Sequence, residues 1–407
     1  MLTPGSARAN PAYSIRIRVP RSALVTVQAI IADAPGAVLC HADEPDPTGA
    51  RRIILDADGS STLTWLTRTL RGRLGADLLG AEDLAFRAAA TGKLAQRVGV
   101  ATGTGHDLAL LDADADRRII RHLAAHPRHT DRYTGRARRV ALLTDASAVL
   151  DFEQLTSAAA LPALESQAVH LHQATGLDVF PLPIAATGAA ELATAIGLLA
   201  PGFAATVLVH THIRHVNAVR AALTSAPYLL LDTVNDGLAI GVAAAALTHL
   251  RGRAIDPHHA RVVLIDPPRG GDLAGLLVAA RIGDLTLYDP VAYGIEPLHR
   301  LAPDIDLIID LLGLAAPPVG IPVLHSRPET PPALAAATTG PRPLHALPGL
   351  LSAAVTTQQP ITLAARVAAV HTLTAHTPSG QLMPPLDHPR LTPAIAAAAT
   401  HALTAHE

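Results

Sequence analysis

The segment His210-Thr211-His212-Ile213-Arg214-His215 sets two imidazoles two residues apart, and in an extended stretch side chains at that spacing leave the same face of the backbone. Joined by a carboxylate from Asp232 or Asp236, the set His210, His212 and Asp232 has the composition of a zinc, iron or manganese site able to act on a small organic acid. The competing reading is coincidence, because the chain contains 21 histidines and repeats the spacing at His170 and His172. A second group follows the apolar run at 261–265. There Asp266-Pro267-Pro268-Arg269-Gly270-Gly271 leads into a helical pattern and then a strand that ends at Asp289. A strand, a glycine turn, a helix and a second strand can hold a dinucleotide, with Arg269, Gly270 and Gly271 at the phosphates and Asp289 at a ribose hydroxyl. Asp266 opposes that use by its charge, and Pro267 and Pro268 have no N–H to offer a phosphate. Two charge clusters remain. Asp112, Asp114 and Asp116 alternate as calcium ligands can, and equally as the acidic first turn of a helix. Arg117, Arg118, Arg121, Arg128, Arg132, Arg136, Arg138 and Arg139 make either a polyanion site or a solvated helix face.

Three blocks of structure must position these groups. Residues 13–19 (YSIRIRV) alternate as a strand, 23–32 read as a helix, 51–57 as a strand and 62–73 as a helix, with room for one more strand at 37–42. That order fits a small ferredoxin-like α+β module over 13–88, behind a disordered stretch at 1–12. In the middle block a strand ends at Thr144-Asp145, followed by a helix at 189–199, a strand at 205–209, a helix near 216–223 and an apolar crossing helix at 237–250. From 261 the strand, turn, helix, strand pattern opens a doubly wound domain, and the chain closes on an alanine-rich helix.

With 49% hydrophobic and 16% charged residues, 407 residues can bury two or three cores and are not mostly disordered. No apolar run reaches the ~18 to 20 residues of a membrane span. A formal net charge of −2 supplies no field to draw in nucleic acid or an anionic membrane, so neither is expected as a partner. Cys40 has no second cysteine to pair with, and the first residues lack the apolar core of a secretory signal, which places the chain in a reducing cytoplasm. Lys93 is the sole lysine.

Two runs then stand out together: Thr144-Asp145-Ala146-Ser147-Ala148-Val149-Leu150, and Ala160-Leu161-Pro162-Ala163-Leu164-Glu165-Ser166-Gln167-Ala168. They resemble the core of bacterial malic enzymes, where the matching motifs are Thr-Asp-Gly-Ser-Ala-Val-Leu and Ala-Leu-Pro-Val-Met-Glu-Gly-Lys-Ala. The resemblance continues in order to Leu347-Pro348-Gly349-Leu350 and Pro384-Pro385-Leu386-Asp387-His388-Pro389-Arg390. It implies an α/β, malic-enzyme-like two-domain scaffold, with an N-terminal-like domain at 89–240 and an NAD-binding-like Rossmann domain with a C-terminal helix at 241–407. The preceding module is then ACT-like, a type that commonly binds small effectors or mediates dimers. The family oxidises and decarboxylates malate with NAD or NADP, a divalent metal, a lysine base and a tyrosine acid. In register, the lysine is Gln167 and the tyrosine is Asp112. The metal carboxylates fall on Val209, His210 and Val234, and a substrate-binding Asn-Asn pair on Arg342 and Pro343. A glycine-rich segment becomes Asp151, Phe152, Glu153, Gln154, Leu155 and Thr156. The resemblance therefore implies the fold without the chemistry: a pseudoenzyme serving as a regulatory, ligand-binding or assembly subunit, in a homodimer or beside another enzyme. The alternatives are an active NAD(P)-dependent malic enzyme and a rebuilt histidine-based metal site.

Overall fold

The computed structural model describes residues 10–150, 152–153, 155–226, 228–294, 305–314, 320–328 and 340–405. They fall into two compact units, one up to Ala95 and one from Gln96 onward.

In the first unit, Ile15, Ile17 and Val19 alternate with Arg16 and Arg18, and this period of two builds β1 (Asn10–Pro20) with one face in the core. α1 (Leu24–Ala32), β2 (Ala37–Ala42), β3 (Ala50–Ala57), α2 (Ser60–Leu74), β4 (Gly80–Asp83) and α3 (Leu84–Ala89) follow. The strands pair antiparallel in the order β2-β3-β1-β4, a β-α-β-β-α-β arrangement whose core joins Ile17, Ile53 and Leu55 to Val27, Ile30, Leu66 and Leu70. The strand at 37–42 is present. β4 has no signature in sequence, because Gly-Ala-Glu-Asp offers no apolar alternation. The stretch at 1–12 is strand from Asn10 onward, and residues 1–9 lie outside the described residues.

The second unit opens with α4 (Gly105–Ala109), α5 (Ala113–Ala125) and α6 (Thr130–Tyr133). A parallel sheet follows, from β5 (Arg139–Thr144), α7 (Leu161–Thr175), β6 (Asp178–Pro183), α8 (Ala189–Leu199), β7 (Ala205–Leu208), α9 (Ile213–Ala222) and β8 (Leu230–Asp232). Its strand order is β6-β5-β7-β8. A wide π-helical turn at Val234–Leu238, closed by Leu238 N donating to Thr233 O at 2.8 Å, feeds α10 (Ala239–Gly252). A second parallel sheet contains β9 (Arg261–Ile265), β10 (Asp284–Tyr288), β11 (Leu307–Asp310) and β12 (Val323–His325), in the order β10-β9-β11-β12. α11 (Leu273–Ala279) links β9 to β10, and α12 (Pro290–Tyr293) follows β10. α13 (Leu347–Thr357), α14 (Leu363–His376) and α15 (Leu391–Thr404) pack together at the end. α10 is buried nearly all round, as an apolar crossing helix must be. The two sheets, read from sequence as domains 89–240 and 241–407, share this one compact unit. Among the described residues no helix is long and apolar enough to cross a membrane.

Each sheet puts its first strand between its second and third, so the chain leaves neighbouring strands β5 and β7, and again β9 and β11, in opposite directions. The crevice at the carboxyl ends of such a strand pair is where open α/β sheets bind ligands.

Candidate functional site

The crevice beside β5 and β7 is shaped by backbone. After β5, Thr144 Oγ1 accepts from Ala146 N at 2.9 Å and donates to His210 O at 3.2 Å, while Ala148 N donates to the same carbonyl at 3.1 Å. These bonds hold His210 at φ 49 and Ala146 at φ 60, in the left-handed region that costs a non-glycine residue roughly 1–3 kcal/mol. Ala146 occupies the position where the resembled motif has glycine, and its φ is the conformation glycine adopts freely.

The strained His210 lines a narrow cavity of about 40 Å³, counted as the space open to the centre of a water molecule, with Ala148, Gln167, Val209, Thr211, Thr233, Val234, Arg269 and Pro343 among its neighbours. That space holds roughly three waters. Gln167, Val209, His210, Val234 and Pro343 are five of the positions matched to functional residues of the resembled family. They lie up to 176 residues apart in sequence, as Gln167 and Pro343 are, and the fold brings all five to one cavity. Arg269 joins them from the turn after β9, with its Nε 3.2 Å from Asp266 Oδ2.

On two of these residues a polar atom, Gln167 Oε1 and His210 Nε2, is shielded from water and has no hydrogen-bond partner among the described residues. Such an atom costs roughly 1–3 kcal/mol when left unmatched. Burial pushes the His210 pKa below the ordinary histidine value, so the ring is neutral at pH 7.

The expected ligand set His210, His212 and Asp232 does not assemble. Asp232 is fully buried, and its oxygens are committed: Oδ1 accepts from Val234 N at 2.9 Å and Asn235 N at 2.7 Å, and Oδ2 from Arg220 Nε at 2.7 Å and Asn235 Nδ2 at 3.0 Å. His212 caps α9, its Nδ1 accepting from Arg214 N at 3.2 Å. Among the described residues no three His, Cys, Asp or Glu side chains gather as metal ligands. A magnesium or manganese ion seeks carboxylate oxygens, and the cavity lining contains no carboxylate. The residues present therefore do not fit that ion.

Asp112 lies apart from the cavity. It is exposed and caps α5, its Oδ1 accepting from Ala113 N at 2.7 Å, while Asp114 pairs with Arg117 at 2.5 Å. The acidic triplet is thus the first turn of a helix. Asp151 and Gln154 of the former glycine-rich segment lie outside the described residues.

The turn after β9 serves packing. Asp266 takes φ 55, Pro267–Gly270 form a single 3₁₀ turn, and a Cβ on Gly271 would sit 2.2 Å from Asn235 Oδ1. Gly271 is needed for that close approach, which also lets Asp272 N donate to Asn235 Oδ1 at 2.8 Å. Gly270 packs on Leu311 and Leu273. Asp289 ends β10 as expected, with its Oδ1 capping α12 through Val291 N and Ala292 N. Acid at Asp266, two prolines and glycines filled by protein do not fit a pyrophosphate.

Two groups of residues were not legible as sets in the sequence. Asp145 is buried and receives Ser147 Oγ at 2.6 Å on one oxygen and His215 Nδ1 at 2.6 Å on the other. A carboxylate that fixes one ring nitrogen leaves the other as a directed proton acceptor or donor. The second set is a buried ion cluster. Arg220 bridges Asp232 and Asp236, Arg366 Nε donates to Asp236 Oδ1 at 2.9 Å, and Arg366 Nη1 reaches Asp272 Oδ2 at 2.7 Å. Burial opposes the charge on Arg220, but Asp236 and Asp232 more than offset it and hold its pKa above the ordinary arginine value. The signal available beforehand was a buried acidic pair, Asp232 and Asp236, within an otherwise apolar stretch.

No model of a known protein family matches the sequence. It is 24% identical over 147 residues to the NAD-dependent malic enzyme 1 of Bacillus subtilis, which is 35% of this chain and 33% of that protein. It is likewise 24% identical over 153 residues to the NAD-dependent malic enzyme of Geobacillus stearothermophilus, 38% of this chain and 32% of that one. The matched region thus spans about a third of these curated relatives. Solved structures agree over far more of the chain. An NAD-dependent malic enzyme from Thermotoga maritima superposes with TM-score 0.67 at 17% identity, covering 78% of this chain and 99% of that one. The malic enzyme of Pyrococcus horikoshii gives 0.68 at 15% identity over 77% and 87%, and that of Entamoeba histolytica 0.68 at 16% over 79% and 81%. Two parallel sheets, each with a switch point, and these likenesses together show a chain built on the malic-enzyme fold.

Proposed function

We propose that this malic-enzyme-like protein does not oxidise or decarboxylate malate and acts as a ligand-binding, regulatory or assembly subunit. One observation carries the reading: the cavity that gathers Gln167, Val209, His210 and Val234 offers neither a lysine base nor a carboxylate for a metal. Positioned proton transfer alone contributes ~10²- to 10⁴-fold to a rate, and several such terms are replaced together here. The purified chain, assayed with malate, NAD or NADP and Mg²⁺ or Mn²⁺, is expected to form no reduced cofactor above the blank. Turnover at about 1 s⁻¹ or faster, within the usual range of enzymes, would sink the proposal.

The β-α-β-β-α-β unit is read as an ACT-like effector module, and a cytoplasmic setting accords with the single thiol of Cys40. A homodimer is part of the same reading. α5 buries none of its residues, although it carries Ile119 and Ile120, and Leu108, Leu110 and Leu111 nearby are also exposed. An apolar surface of this kind on a folded chain marks a contact with another subunit. Light scattering is expected to give twice the 42.1 kDa chain mass, and a monomer at micromolar concentration contradicts it.

A further inference from the structure

We infer that His215 is a nucleophile that takes the acyl group of an activated short-chain ester and passes it to water. This hydrolytic activity goes beyond the functional reading above and does not depend on it. His215 stands in the first turn of α9, and its Nδ1 lies 2.6 Å from Oδ2 of Asp145, just past the carboxyl end of β5. The Asp145 side chain is 1% exposed and that of His215 36%, so the acid is walled off while the imidazole reaches solvent. The acid is itself held in place. Its Oδ1 accepts from Ser147 N at 3.0 Å and Ser147 Oγ at 2.6 Å, and Ser147 Oγ accepts in turn from His212 N at 2.8 Å. A carboxylate only accepts, so it keeps the proton of a neutral ring on Nδ1 and leaves the lone pair on Nε2. Nε2 makes no hydrogen bond among the described residues.

The second sheet provides a comparison. His325 Nδ1 lies 2.9 Å from Asp310 Oδ2, but that oxygen also accepts from Leu314 N at 2.7 Å, and Oδ1 accepts from Leu312 N and Gly313 N. Asp310 closes its own turn, and His325 is one donor among several. Asp145 Oδ2 accepts from His215 alone among the described residues, so that oxygen serves the ring undivided. Imidazole expels weakly basic leaving groups, which selects aryl esters over alkyl esters and amides. The Nε2 lone pair adds to the acyl carbon, and the bond to the phenolate breaks with its electron pair. Asp145 offsets the positive charge of the acylated ring. Water then adds to the same carbon and the carbon–nitrogen bond breaks, so that ester and water have become an acid and a phenol, with the ring restored.

The full chain is expected to release 4-nitrophenolate from 4-nitrophenyl acetate. Peptide mass spectrometry after an early acid quench should find the acetyl group on His215 before any other of the 21 histidines. His215→Gln is expected to slow the release at least about tenfold, and His325→Gln to leave it unchanged. Asp145→Asn tests the positioning, because an asparagine can donate as well as accept and no longer dictates the tautomer. In that variant, first shown to melt cooperatively, acetylation of His215 is expected to slow at least about tenfold with KM nearly unchanged. A pair that only ties α9 to β5 would lower the melting temperature and leave the rate of His215 acetylation as it was. If Asp145→Asn does not fold, the order of acetylation in the unaltered chain and the rate of His215→Gln decide. Acetylation that begins at another histidine overturns the inference, as does release by His215→Gln at the full rate, an equal loss in His325→Gln, or unchanged acetylation of His215 in folded Asp145→Asn. Malate turnover, present or absent, bears on the functional reading alone.

Discussion

Arg366→Leu is expected to destabilise the second unit by about 3–5 kcal/mol, the usual consequence of removing one partner from a buried ion pair. Arg366 is 7% exposed, and it supplies Asp236 with one of two guanidinium contacts. Burial and Arg220 work against its charge, yet Asp236 and Asp272 hold its pKa above the ordinary value, so the charge persists in the folded chain. Without it, two fully buried carboxylates, Asp232 and Asp236, share the single cation of Arg220, and Asp272 loses its partner at 2.7 Å. The remaining donors to these acids are backbone N–H groups and the Asn235 side-chain amide, none of which brings a positive charge. Urea unfolding followed by far-ultraviolet circular dichroism measures the loss. Trp65 fluorescence would miss it, because that residue lies in the first unit. A loss under 1 kcal/mol would mean that the cluster is solvated and that its apparent burial has no energetic content.

The second large effect is with pH. His345 is 1% exposed, and Arg342 N donates to its Nδ1 at 3.1 Å while its Nε2 lies 3.1 Å from Pro384 O. Burial lowers its pKa to about 4, with a smaller push the same way from the Arg342 charge, against the backbone carbonyls of Arg342 and Pro384, which favour the protonated ring. Above pH 6.5 the ring is neutral in folded and unfolded chains alike, and its full contribution is present. Between pH 6.5 and about 4 the unfolded chain takes up a proton that the folded chain refuses, so stability falls as the solution is acidified. One such group accounts for about 3 kcal/mol by pH 4. His210 and His249 are shifted down by burial as well and act in the same sense. Comparison with His345→Gln isolates the term from the carboxylates that titrate nearby in pH. The stability difference between the two proteins should shrink by about 3 kcal/mol from pH 7.5 to 4, and a difference independent of pH would refute the assignment.

How far the sequence could be read depended on whether the relevant neighbours were near in sequence. The run from Thr144 to Ala168 carried enough pattern to imply the fold, and the register it set put Gln167, Val209, His210 and Val234 on positions that the structure brings to one cavity. Alternation in 13–19 and apolar continuity in 261–265 gave β1 and β9 for the usual physical reasons. The partner of Asp232, Arg220, sits on the preceding helix, and no local pattern says which way an arginine turns. Arg366 was farther off still, on α14, a helix whose alanine-rich sequence gave no reason to look for a buried cation. In sequence His215 is only part of a histidine run, because its partner Asp145 lies 70 residues away, just after β5. Asp112 was matched through the run from Asp107 to Asp114, and a short local match cannot distinguish a site residue from a helix cap.

The wide turn at Val234–Leu238 fixes the phase of everything that follows it. A π turn holds roughly one residue more than an α turn, and one residue in an α-helix is about 100° of rotation. Asp236 can therefore face the two arginines while α10, from Ala239 on, presents alanines and aliphatic side chains to the core on every side. Losing a single residue from this turn would leave the composition of the helix untouched and yet swing its faces by more than a quarter circle. The acid would then turn away from its counter-ions, and Gly237, whose missing side chain leaves room for the backbone of Pro343 2.8 Å from where a Cβ would stand, would be replaced there by a larger neighbour. In this region chain length, more than residue type, is what the fold can least afford to change.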